Sequence, residues 1–104
     1  MQSSYTIIYL TLHKKWFDQI LSGEKTIEYR EVKPYYTKRF CPERGVCLRK
    51  KWFDPSKVKI IFKNGYSKTS PQLIARVKKI EIVEKSGKQY FAIHLFDVKT
   101  YANV

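Results

Sequence analysis

The sequence has little of several residue types that define common protein classes. Two cysteines in 104 residues are too few for a disulfide scaffold, and the C-x5-C spacing of Cys41 and Cys47 matches no common zinc ligand pair. We therefore expect free thiols in a reducing cytosol, with no metal and no cofactor. Acidic residues are also scarce: nine face 21 Lys and Arg, which gives a formal charge of +12. An excess of this size favours a polyanionic partner.

Long apolar runs are missing as well. The longest, around Ile7 to Leu10, is far shorter than the roughly 20 residues that cross a bilayer. The N-terminus has no basic region followed by an apolar stretch, so we expect neither a membrane span nor a secretory signal. A chain of this length can bury one core but not two, which predicts a single domain over residues 1–104.

The residues that are present predict an α+β, mainly β fold. Apolar residues recur at helical spacing over 13–22, and Gly23 follows where a left-handed helix cap is expected. The dipeptides Asn64-Gly65 and Ser86-Gly87 predict tight turns. Strands are predicted at 5–12, 25–32, 58–62, 73–83 and 90–98. Mostly antiparallel strands with one early helix suggest a small β-barrel or a strongly bent sheet.

The second predicted strand has an unusual polar side. Ile27 and Tyr29 point one way, whereas Glu28 and Arg30 point the other, so a carboxylate and a guanidinium lie two residues apart on one side. One interpretation is an exposed ion pair, worth only about 0 to 1 kcal/mol. The other is a binding site.

Residues 33–57 form a predicted basic insert with a helical turn around 35–40. Eight cations face two acids in this segment, and aromatic residues are interleaved with them. Aromatic rings can stack bases while cations contact phosphates. The alternative is a solvated loop whose aromatic residues pack on the core. The nucleic-acid-binding candidates here are Tyr35, Tyr36, Lys38, Arg39, Arg49, Lys50 and Lys51.

Two further features have both a functional and a structural interpretation. The turn that carries Asn64, Tyr66 and Ser67 either contacts a base as a second lip of the site or is an ordinary hairpin turn. His94 lies on the strand side opposite Phe91, and a structural histidine with a hydrogen-bond partner is the favoured interpretation.

The passage WFDQILSGEKTIEYR resembles the signature of the ASCH domain, G-x-K-x-x-E-x-R, through Gly23, Lys25, Glu28 and Arg30. The resemblance implies a PUA-like barrel of five to six strands with an N-terminal amphipathic helix. It also implies a cleft that binds RNA or a modified nucleotide. In such a cleft Lys25 suits a phosphate, Arg30 a phosphate or carboxylate, and Glu28 an exocyclic amine or ribose hydroxyl.

The resemblance leaves an enzymatic alternative open. Some ASCH proteins remove the acetyl group from acetylated cytidine with a lysine, a threonine nucleophile and a glutamate, and others are described as ribonucleases. Lys25 matches that lysine, but Glu28 holds the position of the threonine, and Thr26 is its neighbour in a predicted strand. Lys25 and Glu28 are the catalytic candidates if the protein is an enzyme. We favour a monomeric, cytoplasmic binding module for RNA or a modified nucleotide.

Overall fold

The computed structural model describes residues 6–40 and 57–101, and this part of the chain is mainly β-sheet. Segments rich in β-branched and aromatic residues form five strands, and two helices separate the first three of them. No helix in the described part is long and apolar enough to cross a membrane. The elements are β1 (Thr6–Leu12), α1 (Lys14–Ser22), β2 (Ile27–Glu31), α2 (Pro34–Phe40), β3 (Val58–Asn64), β4 (Gln72–Lys85) and β5 (Lys88–Thr100).

The strands form one mixed sheet in the order β1-β3-β4-β5-β2. β1 and β3 run parallel, with Thr6 opposite Val58 and Leu12 opposite Asn64, and the other neighbouring pairs are antiparallel. Parallel neighbours need a crossover connection, and here α1, β2 and α2 all lie between β1 and β3 in the chain. β1 and β2 are thus consecutive strands at opposite edges of the sheet.

The predicted barrel is not closed. Residues 6–40 and 57–101 contain no backbone ladder between β1 and β2, so the described sheet has two edges. The two edges are joined instead by a side chain, because Nη2 of Arg30 on β2 donates a hydrogen bond to the carbonyl of Thr11 on β1 at 3.0 Å. β2 has only five residues before the chain turns towards α2, and a side chain bridges where a ladder would be needed. The mainly β fold is confirmed.

The core lies between α1 and one face of the sheet. Alternate residues of the strands point towards α1, as the strand period of two requires, except at a bulge in β4 that moves the core position from Val77 to Ile80. From α1 itself, Phe17 and Ile20 are buried against that face. Burying each large apolar side chain contributes about 1.5–3 kcal/mol. The sheet residues of this core are Ile8, Leu10, Leu12, Val58, Ile60, Phe62, Leu73, Ala75, Val77, Ile80, Phe91, Ile93 and Leu95.

The two predicted turns have different outcomes. Ser86 and Gly87 both have positive φ, 51° and 78°, and join β4 to β5 as a two-residue hairpin, as predicted. The prediction of a tight turn at Asn64-Gly65 is wrong, because residues 65–71 form a longer loop. The N–H of Asn64 closes this loop by donating a hydrogen bond to the carbonyl of Pro71 at 2.9 Å. Hydroxyl side chains stabilise this loop locally: Oγ of Ser70 accepts from the N–H of Ser67 at 3.0 Å.

Candidate functional site

Glu28 and Arg30 lie on the core side of the edge strand β2. In the antiparallel ladder with β5 they are opposite Ile93 and Phe91, two core residues. The side chains of Glu28 and Arg30 are only 8% and 14% exposed. The interpretation of this pair as an exposed surface ion pair is therefore wrong. A buried carboxylate needs hydrogen bonds and a cation to offset its lost hydration.

Arg30 supplies Glu28 with both a hydrogen bond and a cation, and its guanidinium nitrogens are bonded to other protein groups. Its Nε donates to Oε2 of Glu28 at 2.8 Å, and its Nη1 donates to the hydroxyl of Tyr36 on α2 at 2.9 Å. Nη2 makes the bond to Thr11 across the sheet edges. Because each of the three guanidinium nitrogens has a protein partner, Arg30 holds Glu28 in place and has little capacity left to grip a phosphate as a two-pronged fork.

Lys25 approaches the other oxygen of the carboxylate. Its Nζ lies 3.5 Å from Oε1 of Glu28, and the lysine side chain is 20% exposed. The backbone N–H of Lys25 donates to the carbonyl of Gln19, which fixes the start of this segment against the last turn of α1. We call Lys25, Glu28, Arg30 and Tyr36 the Glu28 cluster. Glu28 thus lies between two cations, tightly held by one and more loosely by the other.

Aromatic rings surround Lys25 on its other sides. Its ammonium lies 5.4 Å from the ring centroid of Trp16 and 5.6 Å from that of Tyr29. The same rings contact further lysines, since Lys15 lies 4.9 Å from the Trp16 ring and Lys85 lies 3.4 Å from the Tyr29 ring. Such cation–aromatic contacts are favourable, by about 0.5–1 kcal/mol where exposed.

The helical spacing over 13–22 predicts that Trp16 belongs to the buried apolar stripe of the helix, and it does not predict the position of Trp16 beside Lys25. Phe17 and Ile20 alone are the buried residues of α1, whereas Trp16 is exposed beside two lysines. The signal that could have found it is the place of Trp16 at the margin of the apolar stripe, next to a lysine. A tryptophan there can keep one face of its ring exposed to solvent.

A groove of about 400 Å³ adjoins the cluster, between the end of α1 and the middle of β4 and β5, where Lys78 and residues 95–98 line it. Gly23 forms one end, with a φ of 87° and an N–H that donates to Ile20, which confirms the predicted left-handed cap. Lys25 and Thr26 both line the groove. β2 begins only at Ile27, so strand alternation does not place Lys25 and Thr26 on opposite faces. Lys25 therefore belongs to both the groove and the Glu28 cluster.

The remaining candidates of the basic insert lie on or near α2 or outside the described residues. Tyr36 joins the cluster, and Tyr35 is exposed with its ring edge-on to Tyr36 at 5.0 Å. Lys38 and Arg39 lie in α2. The predicted binding residues Arg49, Lys50 and Lys51, like Cys41 and Cys47, lie outside the described part of the chain.

The loop at the end of β3 carries Asn64, Tyr66 and Ser67. Asn64 is opposite Leu12, one residue beyond the carbonyl that Arg30 contacts. Tyr66 and Ser67 are exposed in the loop itself, outside the Glu28 cluster. The loop therefore leaves the sheet next to the bridge between β1 and β2.

His94 lies on the sheet face opposite the core and contacts an acid. Its Nε2 is 2.6 Å from Oε2 of Glu81, and Nζ of Lys79 is 3.6 Å from the same oxygen. The hydrogen bond with His94 lowers the pKa of Glu81 below its ordinary value of 4.5. These contacts support the structural interpretation of this histidine.

Comparison with known proteins places the chain in a family. No curated protein matches it. A family model for the ASCH domain matches residues 10–103, a span that includes the Glu28 cluster, the groove and all the described strands except the start of β1. Because this match covers most of the 104 residues, the chain belongs to the ASCH domain family.

Proposed function

We propose that this protein binds RNA or a modified nucleotide at the Glu28 cluster and the adjoining groove. The observation that carries the proposal is the buried carboxylate of Glu28 between two cations, one of which, Lys25, also lines the groove. A surface that only attracts phosphate needs no buried acid in a protein of net charge +12. Membership of the ASCH family supports RNA binding in general.

The geometry gives each residue of the cluster a different role. The Lys25–Glu28 contact is 0.7 Å longer than the Arg30–Glu28 contact, 3.5 Å against 2.8 Å, so the ligand competes for the Lys25 side of the carboxylate. Lys25 then binds a phosphate as a point charge, and Oε1 of Glu28 accepts from an exocyclic amine or a ribose hydroxyl. Arg30 is a positioning residue, because its hydrogen bond to Oε2 keeps the carboxylate oriented.

Base stacking and electrostatic attraction of the nucleic acid also contribute to the proposed binding. The exposed ring of Trp16 lies beside Lys25 and offers a base an apolar face. The cations of residues 33–57, with Tyr35, form an arm that draws the strand towards the site and follows its backbone. Asn64, Tyr66 and Ser67 form the opposite lip. In this proposal the protein acts as a cytoplasmic monomer.

Equilibrium binding tests the proposal. Fluorescence anisotropy of a labelled single-stranded RNA should show that Lys25→Gln weakens binding about tenfold or more, since the variant loses a phosphate contact and a groove wall. Lys88→Gln makes the same charge change beside the β4–β5 turn and should change affinity by less than about twofold. Equal affinities of the two variants, both folded, would contradict the proposed site.

One observation favours a second function, hydrolysis of acetylated cytidine. Lys25 and Thr26 line the same groove, so the hydroxyl of Thr26 can attack an acetyl carbonyl with Lys25 as the general base that takes up its proton. The amide C–N bond then breaks, the cytosine amine takes the proton, and water releases acetate from the acyl-threonine. Incubation with acetylated cytidine should yield cytidine and acetate, and Thr26→Val should abolish the product. No product, even with stoichiometric enzyme, excludes this function and leaves the binding module. A labelled RNA incubated in parallel tests the ribonuclease alternative.

A further inference from the structure

The sheet face that points away from α1 carries an ordered set of cations and aromatic rings near the β1 edge. Cross-strand register defines three neighbouring rows on this face. Lys59, Arg76 and Phe96 share the first row. Tyr9 and Lys99 share the second, through Ile61 and Ile74 between them. Lys63 and Tyr101 share the third, through Gln72, whose carbonyl accepts from the N–H of Tyr101. We call these four cations and three aromatic residues the outer face.

The outer face carries more cations than acids. Lys59 is directly opposite Arg76 in the β3–β4 ladder. Oδ1 of Asp97 lies 3.7 Å from Nζ of Lys99. A sheet face with this excess of positive charge attracts an anionic partner.

The aromatic rings of the outer face remain accessible. Tyr9, Phe96 and Tyr101 are 58%, 36% and 40% exposed. Each row therefore holds a ring together with at least one cation, as in Phe96, whose ring lies 5.1 Å from the guanidinium carbon of Arg76. Neighbouring rows are about 7 Å apart, and the four strands span about 15 Å. Alternating rings and cations on this scale suit successive bases and phosphates of one strand.

We propose that the outer face is a second binding surface, for a single-stranded nucleic acid, that does not depend on base sequence. Bases stack on Tyr9, Phe96 and Tyr101, while phosphates contact the neighbouring lysines and arginine. This surface is on the sheet side opposite Glu28 and Arg30, and Phe96 alone of its seven residues also lines the groove, so it goes beyond the proposed function and does not rest on it. A second copy of the chain fits this face poorly, because a symmetric contact would bring the cations of both copies together.

Photocrosslinking locates the contacts directly. The probes are an RNA of about twelve nucleotides substituted with 5-iodouridine and a DNA of the same length with 5-iododeoxyuridine, a length within the range one small domain binds. Mass spectrometry of the crosslinked peptides should identify Tyr9 or Tyr101 with both probes, whereas a crosslink at Phe96, which also lines the groove, does not distinguish the two surfaces. Lys25→Gln, measured in parallel, should leave these crosslinks in place. If no crosslink forms at the outer face while binding still depends on Lys25, this inference is overturned. If crosslinks form at the outer face but binding does not depend on Lys25, the proposed function is overturned.

Affinity measurements separate stacking from charge. Tyr9→Ala should weaken binding of the RNA about tenfold, whereas Tyr9→Phe, which keeps the ring, should remain within about twofold. Lys63→Gln combined with Lys99→Gln should reduce the slope of log affinity against log salt by about 0.7 for each lysine, and Lys88→Gln should leave it unchanged. Thermal melting confirms that each variant is folded. If sedimentation shows a dimer that Tyr9→Ala dissociates, the surface serves self-association. If anionic phospholipid vesicles bind the protein and neither oligonucleotide does, the surface serves membrane binding. Either result overturns the inference.

Discussion

Nη2 of Arg30 donates a hydrogen bond to the carbonyl oxygen of Thr11 at 3.0 Å, and this contact joins the two edge strands of the sheet. The same guanidinium holds the carboxylate of Glu28 at 2.8 Å. One side chain therefore links the two edge strands of the sheet to the orientation of the acid in the candidate site. A change at Arg30 should affect stability and binding together.

Arg30→Ala should lower the free energy of unfolding by about 3 kcal/mol, because it leaves Glu28 buried without its main partner. For a domain of this size, that loss corresponds to a fall in Tm of more than about 10 °C. Urea denaturation and thermal melting measure the effect.

Two controls accompany the Arg30 variant. Lys14→Gln breaks the exposed Lys14–Asp18 pair of α1, whose oxygen and nitrogen are 2.6 Å apart, and should cost less than about 0.5 kcal/mol. Glu28→Gln combined with Arg30→Ala should be less destabilised than the sum of the single variants, since the buried charge is gone. A loss for Arg30→Ala no larger than that for Lys14→Gln would contradict the buried-cluster account.

Gly23→Ala should destabilise the protein by about 1 kcal/mol, because a φ of 87° strains any residue with a Cβ. A Cβ at this position would meet no atom within 4 Å, so the cost is conformational and not steric. Gly23→Asn should cost less, since asparagine tolerates the left-handed region. Thermal melting of the two variants checks the order, and equal stability of Gly23→Ala and the wild type would be inconsistent with a cap strained by any side chain.

The pair of Glu81 and His94 should make stability depend on pH in the acid range. The hydrogen bond with His94 and the charge of Lys79 lower the pKa of Glu81 below 4.5, so the unfolded chain takes up this proton more readily than the folded one. The stabilisation is therefore complete above about pH 4.5 and is lost as the pH falls through the lowered pKa of Glu81.

His94→Ala tests this pH dependence. NMR titration of the Glu81 carboxyl should show its pKa moving up towards 4.5 in the variant. The difference in unfolding free energy between variant and wild type should shrink as the pH is lowered from neutral to about 3. An unchanged Glu81 titration would show that the contact does not persist in solution.

Local features of the fold were predictable from the sequence. The left-handed cap at Gly23 and the hairpin at Ser86-Gly87 depend on residues adjacent in the chain, and both are confirmed. The alternation of Glu28 and Arg30 against Tyr29 also holds in the structure. The sequence could not show which side of β2 meets the core, because that depends on pairing with β5, about sixty residues later in the chain.

Long-range pairing explains the other differences. The parallel register of β1 and β3 and the bridge from Arg30 to Thr11 join residues that are distant in sequence, so no local pattern distinguishes an open, bridged sheet from a closed barrel. The outer face is hidden in the sequence for the same reason, since Tyr9, Arg76 and Lys99 come together only through the register of four strands.

The most direct test of the central claim is a two-dimensional NMR titration of the protein with a trinucleotide RNA, which is short enough to report a single site. If the Glu28 cluster and its groove bind the ligand, the largest shifts of backbone amides should be at Gly23, Lys25, Thr26 and Glu28, and Lys25→Gln should abolish them. Saturable binding that leaves these amides unchanged, or that is the same in Lys25→Gln, would contradict the account.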